Sequence, residues 1–161
     1  MKSDSRWMQD CVKEFHEAMD QPAPDTLDLE SVRLELRAKL ILEEAFETIQ
    51  ALGFEVEVDL GNRTGNVLPL HARLTKVREP NWPEVVDGLC DLLYVTLGFA
   101  VEAGFRLEPF YAEVHHSNMG KVGGPVREDG KVLKPASWKP PRIGALWTNV
   151  LRRASKGLRT S

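Results

Sequence analysis

Acidic residues in two short clusters have a spacing that suits metal and phosphate chemistry. Each cluster keeps to one arc of a helix: Glu43, Glu44 and Glu47 form the first, and Glu84, Asp87 and Asp91 form the second. Carboxylate oxygens are the ligands that Mg²⁺ prefers, and facing helices of a bundle can present them from i, i+3 pairs. The two clusters therefore predict a divalent-cation site between two helices. Magnesium held by carboxylates usually serves phosphate chemistry.

The predicted helix that carries the second cluster has one acidic stripe, and all of its remaining sides are apolar. The acidic stripe continues only at Tyr94 and Gly98. Such a helix belongs inside a bundle or at a subunit interface, so we expect the stripe to have no easy route to water. Carboxylates packed together would repel each other and take up protons, and a divalent cation would relieve this. A solvated surface charge explains Glu43 equally well.

Periodic apolar residues predict the helices that position these acids. The first helix runs from about Ser5 to Met19, and the second from about Ser31 to Gly53, where glycine suits the position after a helix end. The predicted apolar stripe is Trp7, Cys11, Phe15 and Ala18 in the first helix, and Leu34, Ala38, Ile41, Ala45, Ile49 and Leu52 in the second.

Alternating residues and turn formers predict a β-hairpin inserted at residues 54–78. A third helix then runs from Asn81 or Trp82 to about Gly104, and a fourth from Glu108 to about Asn118. A C-terminal extension of residues 120–161 comprises a loop and a short helix from Ile143 to Ser155. We therefore predict an all-α fold in a single domain of residues 1–161, with a four-helix-bundle-type core, the inserted hairpin and the C-terminal loop and helix.

Composition excludes several classes of function. Hydrophobic residues make up 42% of the chain, which is enough for a core, and the formal net charge of −3 argues against a general nucleic-acid binder. No stretch approaches the roughly 18 apolar residues of a membrane span, and no secretory leader is visible, so we expect a cytoplasmic protein. Nucleic-acid polymers and membranes are not expected among its partners.

Two smaller features leave interpretations open. After Pro141 the sequence contains no acidic residue and five basic ones: Arg142, Arg152, Arg153, Lys156 and Arg159. They form either a solvated terminal helix or a tail that contacts phosphates. Cys90 lies in an apolar run, so we expect a buried, reduced thiol.

These motifs resemble those of a known superfamily. Glu43-Glu44-x-x-Glu47 followed by Glu84-x-x-Asp87 is similar to the EExxE…ExxD signature of the all-α nucleotide pyrophosphohydrolases, which include MazG-like proteins, dimeric dUTPases and phosphoribosyl-ATP pyrophosphohydrolases. A second block, His115-x-x-Asn118-Met119-x-Lys121 with residues 129–134 downstream, resembles the C-terminal part of the phosphoribosyl-ATP-pyrophosphohydrolase-like and dUTPase-like branch.

The resemblance implies a role for each matching position. It implies that Glu43 orients or deprotonates the attacking water, and that the metal ligands are Glu44, Glu47, Glu84 and Asp87, with Asp91 as an additional acid. It implies phosphate or ribose contacts at His115, Asn118, Lys121, Lys131 and Lys134, and a base pocket that involves Phe15, His16 or Gln21. Solvated lysines and a simple helix cap at His115 or Asn118 are the alternatives.

The activity that the resemblance implies is Mg²⁺-dependent hydrolysis of a (deoxy)nucleoside triphosphate to the monophosphate and pyrophosphate. Mn²⁺ is expected to substitute, two or more ions to bind each site, and the protein to form a homodimer or homotetramer. We take dUTP as the first substrate. The alternatives are dGTP or GTP, phosphoribosyl-ATP, and a non-catalytic oligomer that binds metal or nucleotide. The hairpin lengthens the connection between the acidic clusters beyond that expected in this superfamily.

Overall fold

The computed structural model describes residues 7–59, 71–128 and 130–157, and Ser5 of the first predicted helix lies outside them. Along these residues the elements are α1 (Trp7–Ala18), α2 (Leu34–Ala51), β1 (Phe54–Asp59), β2 (His71–Lys76), α3 (Trp82–Glu102), α4 (Glu108–Met119) and α5 (Ile143–Gly157). This confirms the predicted all-α fold with an inserted hairpin. Over the described ranges, no helix has both the length and the apolar character needed to cross a membrane.

The chain divides into two compact units, Arg33–Phe99 and Met1–Val32 with Ala100–Ser161. The first unit contains α2, the hairpin and most of α3. Its two strands pair in antiparallel register, with Phe54 opposite Lys76. Gly53 joins α2 to β1 with a φ of 91°, a conformation that favours glycine, and its carbonyl accepts a hydrogen bond from the Val77 amide at 2.9 Å. The hairpin therefore starts and ends beside the carboxyl end of α2.

Small residues let α2 and α3 approach each other closely. Gly88 of α3 is buried, and a Cβ atom added there would lie 2.7 Å from Thr48 Oγ1 and 3.3 Å from Thr48 Cα. Any larger side chain at position 88 would push the two backbones apart, since the interior of a protein has little free volume. Gly88 lies one turn after Glu84, and Thr48 lies one turn after Glu44. The close approach is therefore directly beside both acidic clusters.

The face that α2 buries differs from the predicted apolar stripe. Leu34, which was expected in the core, is 63% exposed, and Ala38 is exposed as well. The buried residues of α2 are instead Arg37, Thr48 and Ala51. This face is rotated by about 80° around the helix from the predicted stripe. The prediction was wrong because the packing against α3 uses the small residue Thr48 at the contact with Gly88, and not the bulkiest apolar ones.

In the second unit, the buried face of α1 also differs from the predicted apolar stripe. The predicted stripe residues Trp7 and Phe15 are 67% and 48% exposed, and the buried residues are Gln9, Val12 and His16. Gln9 tolerates burial because its amide donates to the Phe105 carbonyl at 2.8 Å and accepts from the Leu107 amide at 3.0 Å. Hydrogen bonding to the connection between α3 and α4 thus decides which face of α1 is inside.

Aromatic rings hold α5 in the second unit. The Trp147 ring packs edge-on against Phe105, with ring centroids 5.6 Å apart, and it contacts Phe110 of α4 at 6.3 Å. Between α4 and α5 the chain forms the predicted loop, which contains one antiparallel bridge between Val126 and Val132. The predicted short C-terminal helix is confirmed as α5.

Cys90 is exposed on α3, which corrects the expectation of a buried thiol. The apolar residues that flank it on the same side of the helix are open as well, with Val86 60% and Leu89 54% exposed. Apolar sequence alone predicted burial, but the described residues leave this side of α3 uncovered.

Candidate functional site

Glu44 lies at the centre of the buried face of α2. Arg37, Thr48 and Ala51 each lie within about 40° of it around the helix axis. The Thr48 hydroxyl donates to the Glu44 backbone carbonyl at 2.7 Å and thereby fixes the side chain that meets Gly88. Glu44 itself is half-buried. The helix contact thus places one carboxylate partly out of water.

Other carboxylates surround Glu44. Partial burial raises the pKa of the Glu44 carboxyl above its ordinary value, and the negative charges of Glu47, Asp91, Glu43 and Asp87 raise this pKa further, in that order of influence. Three of these neighbours belong to the predicted signature, and the fourth is the predicted additional acid. The structure therefore brings both acidic clusters within electrostatic reach of a single carboxylate. We call Glu44 and these four residues the acidic cluster.

Glu84 is not among the charges that act on Glu44. It lies at the start of α3 and is exposed, as are Asp87 and Asp91. This corrects the expectation that the acidic stripe of α3 has no route to water, because the apolar side of α3 next to the stripe is itself open. Within the described part of the chain, no three acidic, histidine or cysteine side chains converge closely enough to hold a metal ion as they stand.

The predicted phosphate contacts lie in the other unit, most of them around the end of α4. Lys121 donates to the side-chain oxygen of Asn118 at 2.7 Å. The Lys134 ammonium lies 4.1 Å from the centre of the Trp138 ring, whose Cδ1 atom is 3.7 Å from where a Cβ of Gly120 would be. The structure thus brings Asn118, Lys121 and Lys134 to one end of α4.

The other two predicted phosphate or ribose contacts, His115 and Lys131, lie away from this end of α4. His115 is exposed, one turn before Asn118 on the same side of α4. Lys131 is exposed in the loop, where its backbone carbonyl accepts a hydrogen bond from the Arg127 amide at 2.9 Å. Asp129 of the same block lies outside the described residues.

The three residues predicted for the base pocket lie at the end of α1 and in the turn that follows it. His16 is buried, and its Nδ1 is 2.8 Å from the Pro22 carbonyl oxygen, so this ring holds the turn that follows α1. The Gln21 amide donates to the His16 carbonyl at 2.7 Å in the same turn, while Phe15 is half exposed. A cleft of about 230 Å³ beside α1 is lined by other residues, among them Lys13 and Arg106.

Sequence reasoning missed Thr48 and Gly88, which set the distance between the two acidic helices. A signal for them exists in the sequence. Each is a small residue one helical turn after a signature glutamate, and each therefore lies on the same side of its helix as that glutamate. Small residues in such positions are typical of close helix contacts.

The sequence model of a family described as phosphoribosyl-ATP pyrophosphohydrolase matches residues 12–118, which include α2, the hairpin and α3 with both acidic clusters. No curated protein matches the chain at a significant level.

Proposed function

The chain belongs to the phosphoribosyl-ATP pyrophosphohydrolase family, within the all-α MazG-like superfamily, and from this premise we propose that it hydrolyses a (deoxy)nucleoside triphosphate to the monophosphate and pyrophosphate in a Mg²⁺-dependent reaction. A pyrophosphohydrolase acts on an acid anhydride bond of a nucleotide-type substrate. The observation that carries the proposal is the concentration of carboxylates around half-buried Glu44.

The donor set of the acidic cluster fits a hard divalent cation. It consists of oxygens alone, and a bound cation would offset both causes that raise the pKa of Glu44, its partial burial and the negative charges of its neighbours. The residues of the cluster that we expect to hold the ion are Glu44, Glu47 and Asp87, with Asp91 in support, and we expect Glu84 to join them from the start of α3. When bound, Mg²⁺ supplies charge neutralisation for phosphate oxygens and Lewis acidity toward water.

The side chains of the protein account for the remaining steps. We assign to Glu43, an exposed neighbour of Glu44, the orientation of the attacking water and the acceptance of its proton. The water oxygen forms a bond to the α-phosphorus, the bond from that phosphorus to the bridging oxygen breaks, and pyrophosphate leaves. We assign phosphate binding to the cations of the α4 end, Lys121 and Lys134, which would offset the charge of the triphosphate.

Three observations bear on the substrate. The hairpin of β1 and β2 is present between the acidic helices, and the longer connection that it makes argues against phosphoribosyl-ATP. The resemblance of the block that begins at His115 to the dUTPase-like branch puts dUTP first, with dGTP or GTP as its rivals. The family match favours phosphoribosyl-ATP as the second candidate. Both candidates are cleaved between the α and β phosphates, so the bond broken is the same.

A substrate panel tests the proposal. Pyrophosphate release is measured for the common nucleoside and deoxynucleoside triphosphates and for phosphoribosyl-ATP, each with Mg²⁺, with Mn²⁺ and with excess chelator. We expect turnover of one substrate class with either metal and none with chelator. Full activity in chelator would refute the metal site, and absence of turnover with every substrate would favour a non-catalytic nucleotide-binding protein.

Labelled water tests the position of cleavage. In H₂¹⁸O, attack on the α-phosphorus places the label in the nucleoside monophosphate, and attack on the β-phosphorus places it in pyrophosphate. Both outcomes agree with the proposed products, and only the first agrees with the attack on the α-phosphorus described above. Release of labelled orthophosphate with a nucleoside diphosphate would show that the enzyme removes only the terminal phosphate and would contradict the proposal.

A further inference from the structure

The second unit contains a cleft that the acidic cluster does not use. It has a volume of about 490 Å³ and is formed by α4 and the chain segment that returns to α5. Its lining includes Glu113, His116 and Ser117 on α4, and Trp138, Lys139 and Arg142 on the returning segment. We call it the α4 cleft. Its volume lies in the range typical of small-ligand sites, roughly 300–1,000 Å³.

Directed hydrogen bonds hold the two walls of the α4 cleft together. The buried Ser117 hydroxyl donates to the Lys139 carbonyl at 2.9 Å, and the Trp138 indole N–H donates to the Ser117 carbonyl at 3.0 Å. Arg142 donates to Glu113 Oε1 from its backbone amide at 2.9 Å and from Nε at 3.0 Å. Because backbone and side chain are both fixed, the cleft is formed before any ligand arrives.

The charge that the α4 cleft presents is positive. Glu113 is its only acidic lining residue among those described, and Arg142 neutralises this carboxylate. Hydrogen bonds from the Arg142 side chain and backbone hold the pKa of the Glu113 carboxyl below its ordinary value, so it stays ionised and paired. Lys139, and His116 when protonated, remain to meet a ligand. No acidic residue follows Asp129 in the sequence, so the surrounding segment is basic as well.

The α4 cleft is on the opposite side of α4 from His115 and Asn118. Glu113, His116 and Ser117 lie within about 100° of one another around the helix, whereas His115 and Asn118 each point about 150° away from the middle of that arc. The cleft therefore faces away from these two residues of the signature block, while Trp138 in its wall also contacts Lys134.

We propose that the α4 cleft binds a nucleoside monophosphate, with the phosphate at Lys139 and His116 and the base against the indole of Trp138. The cationic side chains select an anion, and the half-buried aromatic wall selects a planar group attached to it. A nucleoside monophosphate is the class of product that the proposed reaction releases, so the identity of the ligand rests on the proposed function. Its binding does not require turnover.

Titration by NMR tests this inference without relying on catalysis. Uridine and guanosine monophosphates are added to the full chain in excess chelator, where the metal-free acidic cluster repels phosphates. The indole N–H signal of Trp138 is assigned by its loss in Trp138→Phe. We expect both ligands to shift this signal in a saturable way, and uridine or inorganic phosphate alone to bind at least about tenfold more weakly, the difference that roughly one charged contact makes.

A charge-reversal pair completes the test. Lys139→Glu should weaken binding at least about tenfold, whereas Arg152→Glu, the same change at an exposed position on α5 outside the cleft, should leave it unchanged. Circular dichroism verifies that both variants are folded. The inference is overturned if the Trp138 signal does not move at millimolar ligand, if Lys139→Glu binds as well as the wild type, or if inorganic phosphate binds equally well. Failure of the substrate panel alone would not affect it.

Discussion

At the scale of single residues, the negative charges of the acidic cluster lower the stability of the protein at neutral pH. Partial burial of the Glu44 carboxyl, and then the charges of four neighbouring carboxylates, raise its pKa above the ordinary value. A carboxyl whose pKa is higher in the folded state than in the unfolded state stabilises the fold most when protonated, below the unfolded value. That stabilisation is lost as the pH rises through the folded value. At neutral pH the metal-free protein therefore carries a destabilising charge at this position.

Glu44→Gln should accordingly stabilise the metal-free protein at neutral pH. Solvent screening of a half-exposed group limits the gain to about 0.5 kcal/mol, or roughly 1–2 °C in Tm. Thermal unfolding in chelator at pH 5 and pH 8 checks this, and the gain should be larger at pH 8. The control is Glu35→Gln on the same helix, where the carboxylate pairs with Lys39 at 2.7 Å and its loss should not stabilise.

The same variant should respond differently to Mg²⁺. Added Mg²⁺ should raise the Tm of the wild type and of Glu35→Gln, but much less that of Glu44→Gln, because a ligand that binds the folded state stabilises it in proportion to its affinity. If Glu44→Gln lowers the Tm in chelator, Glu44 serves the fold and not cation binding.

Glu47→Gln and Asp87→Asn should abolish turnover while the protein remains folded. Each removes a negative oxygen donor from the acidic cluster, so cation affinity falls, and each also removes a charge that repels Glu44. We expect at least about a 100-fold loss of pyrophosphate release, comparable to the loss of one strong transition-state contact, with an unchanged circular dichroism spectrum. Glu55→Gln, an exposed change on β1, is the matched control. Unfolded Glu47 or Asp87 variants would show a structural role.

At the scale of elements, the contact between Thr48 and Gly88 sets the separation of the acidic helices. Gly88→Ala would place a Cβ 2.7 Å from Thr48 Oγ1. Either the Thr48 hydroxyl then loses its hydrogen bond to the Glu44 carbonyl, or α2 moves away from α3. We expect a destabilisation of about 1–3 kcal/mol, the usual cost of overpacking, and a loss of activity. Chemical denaturation measures the first effect and pyrophosphate release the second.

Two variants separate this effect from helix propensity. Gly144→Ala on α5 has no atom within 4 Å of its new Cβ, so it should stabilise by about 0.5–1 kcal/mol through propensity alone. Thr48→Ala removes the hydroxyl that Gly88→Ala would meet, so the double variant should be more stable than the sum of the single changes predicts. Additive effects would mean that the helices do not meet at these residues.

The sequence predicted the elements well and the buried faces poorly. The helix bounds and the hairpin follow from apolar period, Gly53 and the prolines, which are local signals. The burial of Gln9 in α1 depends on backbone groups almost a hundred residues away, and that of Thr48 depends on the glycine opposite it. No apolar pattern encodes either pairing.

The candidate site shows the same division. The five signature carboxylates could be read from their spacing, and four of the five come together with Asp91 around the centre of α2. Glu84 is outside this group. Whether the acidic stripe of α3 is shielded from water does not follow from the apolar residues beside it in the sequence, because shielding depends on what packs against α3.

At the scale of the whole molecule, one apolar face of α3 stays exposed among residues 7–59, 71–128 and 130–157. Val86, Leu89 and Leu93 are 60%, 54% and 44% exposed and lie on one side of the helix, with exposed Cys90 among them. Around the helix axis, the acidic stripe lies between this apolar face and Gly88, which contacts α2. A contiguous apolar face on a helix is typical of a subunit interface. A second copy that covered it would also shield the acidic stripe.

We therefore predict that the protein is a homodimer or homotetramer in solution and that this face of α3 forms the contact. Leu89→Lys with Leu93→Lys should dissociate it, because burying each leucine contributes about 2 kcal/mol per copy and a buried lysine reverses the gain. Light scattering at micromolar concentration should give a multiple of the chain mass for the wild type and the chain mass for the double variant. The control, Val122→Lys, changes an apolar residue that is 74% exposed in the loop after α4, and it should leave the oligomer intact. A monomeric wild type would contradict the prediction, and dissociation by Val122→Lys would place the contact elsewhere.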